Sequence, residues 1–392
     1  MSIELQVALI SGPAYDPLYD CLPAFTAATG VKVNIAYRGD HPTLNHHLAT
    51  LNEVLYDLVS THTKYAPAQM DFLAPLNELV EAAALRDFAP LLLELARVDG
   101  LLYGLPRNID VRLLHFRTDL IDSPPATWDD LLSVARSRNN PPRCYGFIFP
   151  GRESGLFGTF FELAEMAGAH LFPNDLVPDI QNGGGRWAIE FLRACYAEGL
   201  TPPELPDWHY DKVHECFRSG HAAMVGDWPG YYSLYRNAKL SAVHDRLGLS
   251  PYPVGPAGKS LSYGGGHTFA LTKRGAKKEE ALQLLMYLTA SEQQLTEARQ
   301  GCVPVRRSVM KQMQTEADEA NRERLGMLEK VIAEHILIPP KFPRYPEVEE
   351  VLWRTVQKAF LGEIETDDAL ESMTEQIGRI VERVKVTNCV AT

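Results

Sequence analysis

The chain is 392 residues long with a formal net charge of −12; apolar residues make up 45% and charged residues 22%. That length exceeds the roughly 250 to 300 residues over which one hydrophobic core keeps growing, so two lobes with a cleft between them are expected, and the ordinary globular composition argues against intrinsic disorder. The negative charge and the lack of any basic run exclude nucleic acid as an expected partner, and apolar stretches such as 91–93 and 281–288 fall far short of the ~20 residues a spanning helix needs, which points to a soluble protein.

The opening residues lack the basic segment, apolar core and small-residue cleavage site of a signal peptide, so either none exists or it has been removed. Residues 3–10 are rich in β-formers, Ser11-Gly12-Pro13 is a turn, and 15–29 carries helical spacing. Leu18, Leu22 and Phe25 form one apolar stripe that must face a sheet. Gly30 ends this helix, and 31–37 is the next strand of a βαβ opening. A third strand, 56–60, ends in Thr61-His62-Thr63, and polar residues just past a strand of an α/β sheet lie on the edge where ligands bind. A helix is predicted around 73–85, then a turn at Asp99-Gly100 with a short strand after it. Leu105-Pro106-Arg107-Asn108 leads into a strand over 109–116 that leaves the first lobe.

Pro124-Pro125 opens a second α/β unit, whose first helix has Thr127 as cap and Asp130 at the third helical position. Gly183-Gly184-Gly185 lacks the preceding strand and the spacing of a nucleotide loop, so it reads as a flexible turn. A strand over 222–225 runs into Gly226-Asp227-Trp228-Pro229-Gly230-Tyr231-Tyr232. After a β stretch over 247–253 and a segment rich in Pro and Gly, a strand over 269–272 re-enters the first lobe. A helix over 278–288, a turn at 301–304 and a helical C-terminal part broken at Pro339-Pro340 complete the chain.

Catalytic and metal signatures are missing: there is no Gly-x-Ser-x-Gly, His-Glu-x-x-His, Gly-Lys-Ser/Thr or EF-hand pattern. Six cysteines (Cys21, Cys144, Cys195, Cys216, Cys302, Cys389) form no CxxC pair, and a chain this long has no need of disulfides. His46 and His47 point about 100° apart on a helix and are expected to face solvent. No enzyme, cofactor or metal is expected. The chain offers instead aromatic and polar residues at breaks in the sheet: Tyr15, His62, Trp228, Tyr231 and Tyr345. A sugar ring packs its C–H face on an aromatic plane and needs hydrogen-bonding partners for its hydroxyls; Asn108, Asp110, Arg152 and Glu153 are candidates.

The order of Tyr56-Asp57-Leu58-Val59, Leu73-Ala74-Pro75-Leu76, Gly104-Leu105-Pro106, Thr127-Trp128-Asp129-Asp130-Leu131, Phe217-Arg218-Ser219-Gly220-His221-Ala222-Ala223-Met224 and Gly264-Gly265-Gly266 resembles that of the family 1 extracellular solute-binding proteins of ABC importers, the group that includes maltose-binding protein. The resemblance spans nearly the whole chain. It implies a periplasmic-binding-protein-like fold of type II, two α/β lobes joined by crossing hinge strands, with 1–109 and 266–310 in the N-terminal lobe and 110–265 and 311–392 in the C-terminal lobe. It further implies a periplasmic, monomeric receptor that closes on a sugar and presents it to a membrane permease. By position, Trp228 matches the stacking aromatic, Glu153 a cleft carboxylate of the second lobe, Asp110 a carboxylate on the first crossing strand, Gly265, Gly266 and His267 the return crossing, and Arg344 with Tyr345 a loop lining the cleft. Arg38, Arg107, Arg152 and Arg344 near this cleft suggest an anionic sugar.

Three alternatives remain at this point. Tyr231 and Tyr232 would serve a ferric-iron receptor of the same fold; a polyamine receptor would want several cleft carboxylates and fewer arginines; and Glu153 with Asp110 would make the acid and base of a carbohydrate-active enzyme.

Overall fold

The computed structural model describes residues 3–51 and 53–390. Its first sheet has five strands in the order Lys32–Gly39, Glu4–Ile10, Leu58–His62, His267–Leu271, Leu105–Pro106. Glu4–Ile10 pairs in parallel with the strands on both sides of it, while His267–Leu271 runs antiparallel to its neighbours. A second sheet has the order Leu247–Ser250, Leu113–Arg117, Ala222–Asp227, Tyr145–Ile148.

Between them three short strands cross. Asp110–Val111 lies between strands of the first and second sheets in sequence, Ser262–Gly265 returns in the opposite sense, and Ile336–Leu337 pairs alongside. The strand expected over 109–116 is therefore two strands, because the chain changes sheets at Arg112, whose side chain is buried against Glu162.

Each sheet carries its own core. Leu5, Val7, Phe25, Leu58, Leu105, Phe269 and Leu284 pack together on one side; Leu114, Trp128, Phe147, Phe157, Leu192, Met224 and Leu352 do so on the other. Two apolar clusters of this size stabilise by removing surface from water, at about 25 cal/mol per Å² of apolar area. Leu328 and Val331 of helix Glu319–Glu334 belong to the first core, whereas Val348 of helix Tyr345–Phe360 and Ile377 of helix Thr366–Val390 belong to the second. The helices past 310 are thus divided between the two cores, and the change falls at the crossing strand Ile336–Leu337.

Local differences from the sequence reading have identifiable causes. Only Ala82–Leu85 of the helix expected over 73–85 is helical, since Leu73 bridges to Thr272 and Pro75 cannot continue an α-helix. The third strand starts and ends two residues later than expected, at Leu58 and His62; Asp57 just before it is a buried carboxylate facing Lys278 at 2.7 Å and Arg274 at 3.1 Å. Two of the three glycines at 183–185 serve packing: a Cβ at Gly184 would meet the Ala169 nitrogen at 2.5 Å and one at Gly185 the Ile180 oxygen at 2.4 Å. His47 stacks on Tyr37, centroids 3.6 Å apart, and meets the Tyr56 hydroxyl at 2.7 Å, while His46 is exposed. The capping box of Thr127 and Asp130 is present. Cys21, Cys144, Cys195, Cys216 and Cys302 are free; the side chain of Cys389 lies outside the described residues. Among the described residues no helix is long and apolar enough to cross a membrane.

Candidate functional site

Because strands Glu4–Ile10, Lys32–Gly39 and Leu58–His62 run in parallel, their C-terminal ends reach one edge of the sheet. Ser11, Asp40, His41 and His62 arrive there together. They form one wall of a narrow cavity of about 70 Å³. The crossing segments contribute Asn108, Asp110, Tyr263 and His267, and the second lobe contributes Ser154, His209, Tyr210, Asp211, Trp228 and Tyr231.

Trp228 directly follows strand Ala222–Asp227 and is half-buried. Tyr210 meets its ring edge-on at 5.4 Å, and Tyr263 lies at 5.8 Å. The guanidinium of Arg112 sits 5.4 Å from the indole centroid, fixed by two bonds to Glu162 of 2.6 Å and 3.1 Å. A large aromatic plane is thereby held open to the cavity at low entropic cost on binding. On the first lobe, Tyr15 packs edge-on to His267 at 5.2 Å under the guanidinium of Arg107.

Three imidazoles converge deep in the cavity. His41, His62 and His267 stand with centroids 5.0 to 5.3 Å apart and near-perpendicular planes, and His41 Nδ1 meets His267 Nε2 at 3.1 Å. Burial first, then the neighbouring histidines and Lys64, push His41 and His62 well below the ordinary histidine range. His267 is lowered by burial, against the pull of Asp110. Neutral imidazoles each carry one donor and one acceptor, the capacity that hydroxyl groups match. Lys64 donates to Glu349 and to the Tyr263 hydroxyl, both at 3.0 Å; burial opposes its charge, but Glu349 outweighs that and holds the ammonium above the usual lysine range.

Seven of the residues singled out from the sequence line this cavity: Tyr15, His62, Asn108, Asp110, Trp228, Tyr231 and His267. Gly265 and Gly266 stand behind it, where a Cβ would lie 2.4 Å from His62 Cε1 or 2.7 Å from the Asn108 oxygen. Arg38 pairs with Asp16 at 2.9 Å, Arg152 with Glu153, and Arg344 with Glu347, none of them in the lining. Arg107 is buried against Glu297 at 2.6 Å. Tyr345 is fully buried among Phe157, Tyr65 and Phe342. The arginine set that suggested an anionic ligand is therefore neutralised elsewhere.

The iron reading loses its pair as well. Tyr231 faces the cavity, but the Tyr232 hydroxyl accepts from Arg236 at 3.0 Å with Arg324 stacked 4.4 Å from its ring. Among the described residues no group of three His, Cys, Asp or Glu is placed to hold a metal. Glu153 and Asp110 are not brought together in the lining. The sequence reading missed Ser11, Asp40, His41, Lys64, Ser154, His209, Tyr210, Asp211 and Tyr263. The strand-end rule that found His62 would have found Ser11 and Asp40, which follow the other two parallel strands.

The profile of the bacterial extracellular solute-binding proteins matches residues 22–323. The chain belongs to that family. A curated relative, a probable ABC transporter-binding protein of Deinococcus radiodurans, is 24% identical over 240 residues, 58% of this chain, which spans 57% of that relative's length. A maltose-bound binding protein of T. maritima superimposes with a TM-score of 0.89 at 24% identity, over 96% of this chain and 100% of the other. An ABC transporter solute-binding protein of Agrobacterium radiobacter in complex with ribitol gives 0.84 at 23% identity, over 96% and 98%. These likenesses show that the chain shares the fold of these two proteins over 96% of its length.

Proposed function

We propose that this solute-binding protein is the substrate-binding component of an ABC importer, that it works in the periplasm as a monomer, and that it carries a small carbohydrate or polyol to a membrane permease without chemical change. The observation that carries this reading is the inter-lobe cavity itself: an aromatic plane at Trp228 on one lobe faces neutral imidazoles at His41, His62 and His267 on the other side. Maltose and ribitol in the two structural neighbours support a polyhydroxylated ligand. We divide the lobes at the crossing strands, with 3–109 and 267–334 in the first and 112–261 and 338–390 in the second.

In this reading the solute touches both walls only when the lobes are together, so its differential affinity favours the closed form. No bond is broken. Native mass spectrometry of freshly purified protein identifies the co-purified solute, and calorimetry then measures its affinity. Trp228→Ala is expected to weaken that affinity roughly thirty-fold or more, the loss of about 2 kcal/mol typical of a central aromatic anchor, with an unchanged melting curve. Unchanged affinity would place the solute elsewhere.

A further inference from the structure

The charges lining the cavity are unbalanced. Asp40, Asp110 and Asp211 face a single lysine, Lys64, whose ammonium is already held at 3.0 Å by Glu349, a carboxylate outside the lining. The imidazoles do not offset this, because burial keeps His41, His62, His209 and His267 below the ordinary histidine range. A negatively charged solute would meet like charges with no free cation to receive it.

The carboxylates are not equivalent. Asp40 is committed to capping helix His41–Thr50, accepting from the Thr43 nitrogen at 3.0 Å. Asp110 is only 8% exposed. Its Oδ2 takes the Asn108 amide at 2.6 Å and lies 3.6 Å from His267 Nδ1, while Oδ1 accepts no hydrogen bond among the described residues. Tyr15, Tyr231 and Trp228 present aromatic surface to the same space. Asp211 stands on the opposite lobe at the mouth, where its Oδ1 accepts from the Tyr231 hydroxyl at 3.4 Å. Burial, Asp211, Asp227 and, last, Asp110 all push the Tyr231 phenol up. A largely buried carboxylate without a cation beside it is costly, and an ammonium seated between such a carboxylate and aromatic faces relieves that cost.

We propose that the transported solute is an amino sugar, its ammonium received by the free oxygen of Asp110 and its ring stacked on Trp228; this rests on the cleft being the solute site, as proposed above. The hydroxyl-matching imidazoles argue for a polyhydroxylated frame carrying the ammonium rather than a bare polyamine chain.

Matched triplets of hexosamine, hexose and hexuronate in the gluco, galacto and manno series, together with putrescine, test this by titration calorimetry and thermal shift at pH 7. The expected result is that the hexosamine of at least one series binds ten-fold or more tighter than its hexose, that the hexuronate of that series does not bind, and that Asp110→Asn lowers hexosamine affinity by at least ten-fold more than it lowers hexose affinity. A hexose that binds as tightly as its hexosamine, putrescine that binds tighter than every hexosamine, or no response to any hexosamine would overturn the assignment. If Asp110→Asn weakens amine and hexose equally, Asp110 is a hydroxyl acceptor and the amino-sugar assignment falls, while the carbohydrate reading survives. Failure of that broader reading shows separately, as a co-purified solute whose affinity Trp228→Ala does not change.

Discussion

Gly265 permits the return crossing to lie directly on the His62 ring, since a Cβ there would approach Cε1 to 2.4 Å and Nε2 to 2.6 Å. Gly265→Ala must therefore displace the imidazole or the strand. Calorimetry is expected to show solute affinity reduced several-fold or more, with a smaller loss in melting temperature than a core truncation would give. At this scale the sequence was legible where chemistry was unusual for its surroundings. Trp228 in a loop of Pro and Gly stood out, as did His62 at a strand end. Arg38, Arg152 and Arg344 misled, because their carboxylate partners sit one to twenty-two residues away and a sequence does not show which charge meets which. Tyr345 misled for a related reason: an aromatic at a helix start looks the same whether it faces a cleft or a core.

Among the elements, the segment after strand Leu58–His62 and helix Tyr345–Phe360 meet through one fully buried ion pair. Lys64 and Glu349 have side-chain exposures of 2% and 5% at 3.0 Å, and the Tyr65 hydroxyl adds a bond to Glu349 of 3.2 Å. Removing one partner of such a pair strands the other, at a cost of about 3 to 5 kcal/mol, whereas removing both is far milder. Lys64→Met should therefore lower stability by that amount in denaturant unfolding, and Lys64→Met with Glu349→Met should recover most of it. A double variant as unstable as the single one would show that the two side chains do not act as a pair. The crossing strand before Tyr345–Phe360 was not legible: Ile336–Leu337 is two residues long and leaves no periodic pattern, so the helices on either side of it looked like one C-terminal block.

The whole molecule buries histidines in neutral form, and this sets its response to acid. Burial lowers His115 to about 4 and His209 to about 3. Since the unfolded chain takes up these protons near the ordinary histidine value of about 6.5, the stability they contribute is complete above that value and is lost as pH falls toward the folded values. His115 alone accounts for about 2 to 3 kcal/mol of loss between pH 6.5 and 4.5. His115→Asn is accordingly expected to lose less stability than the parent over that interval in chemical denaturation. Equal slopes would show that His115 is not held neutral by the fold.

The sequence by itself determined the two-lobed α/β architecture, the parallel opening of the first sheet, the capped start of the second unit at Thr127 and seven of the residues that line the cavity. These follow from local periodicity, turn chemistry and the rule that parallel strand ends collect at one edge. Only the tertiary structure decided the charge of the site. Lys64 and Glu349 are 285 residues apart, Arg107 and Glu297 are 190 apart, and Arg112 and Glu162 are 50 apart. Coulomb interaction depends on distance in space and on burial, neither of which the chain order carries. Those pairings occupy Lys64, Arg107 and Arg112, while Asp110 keeps its place in the lining.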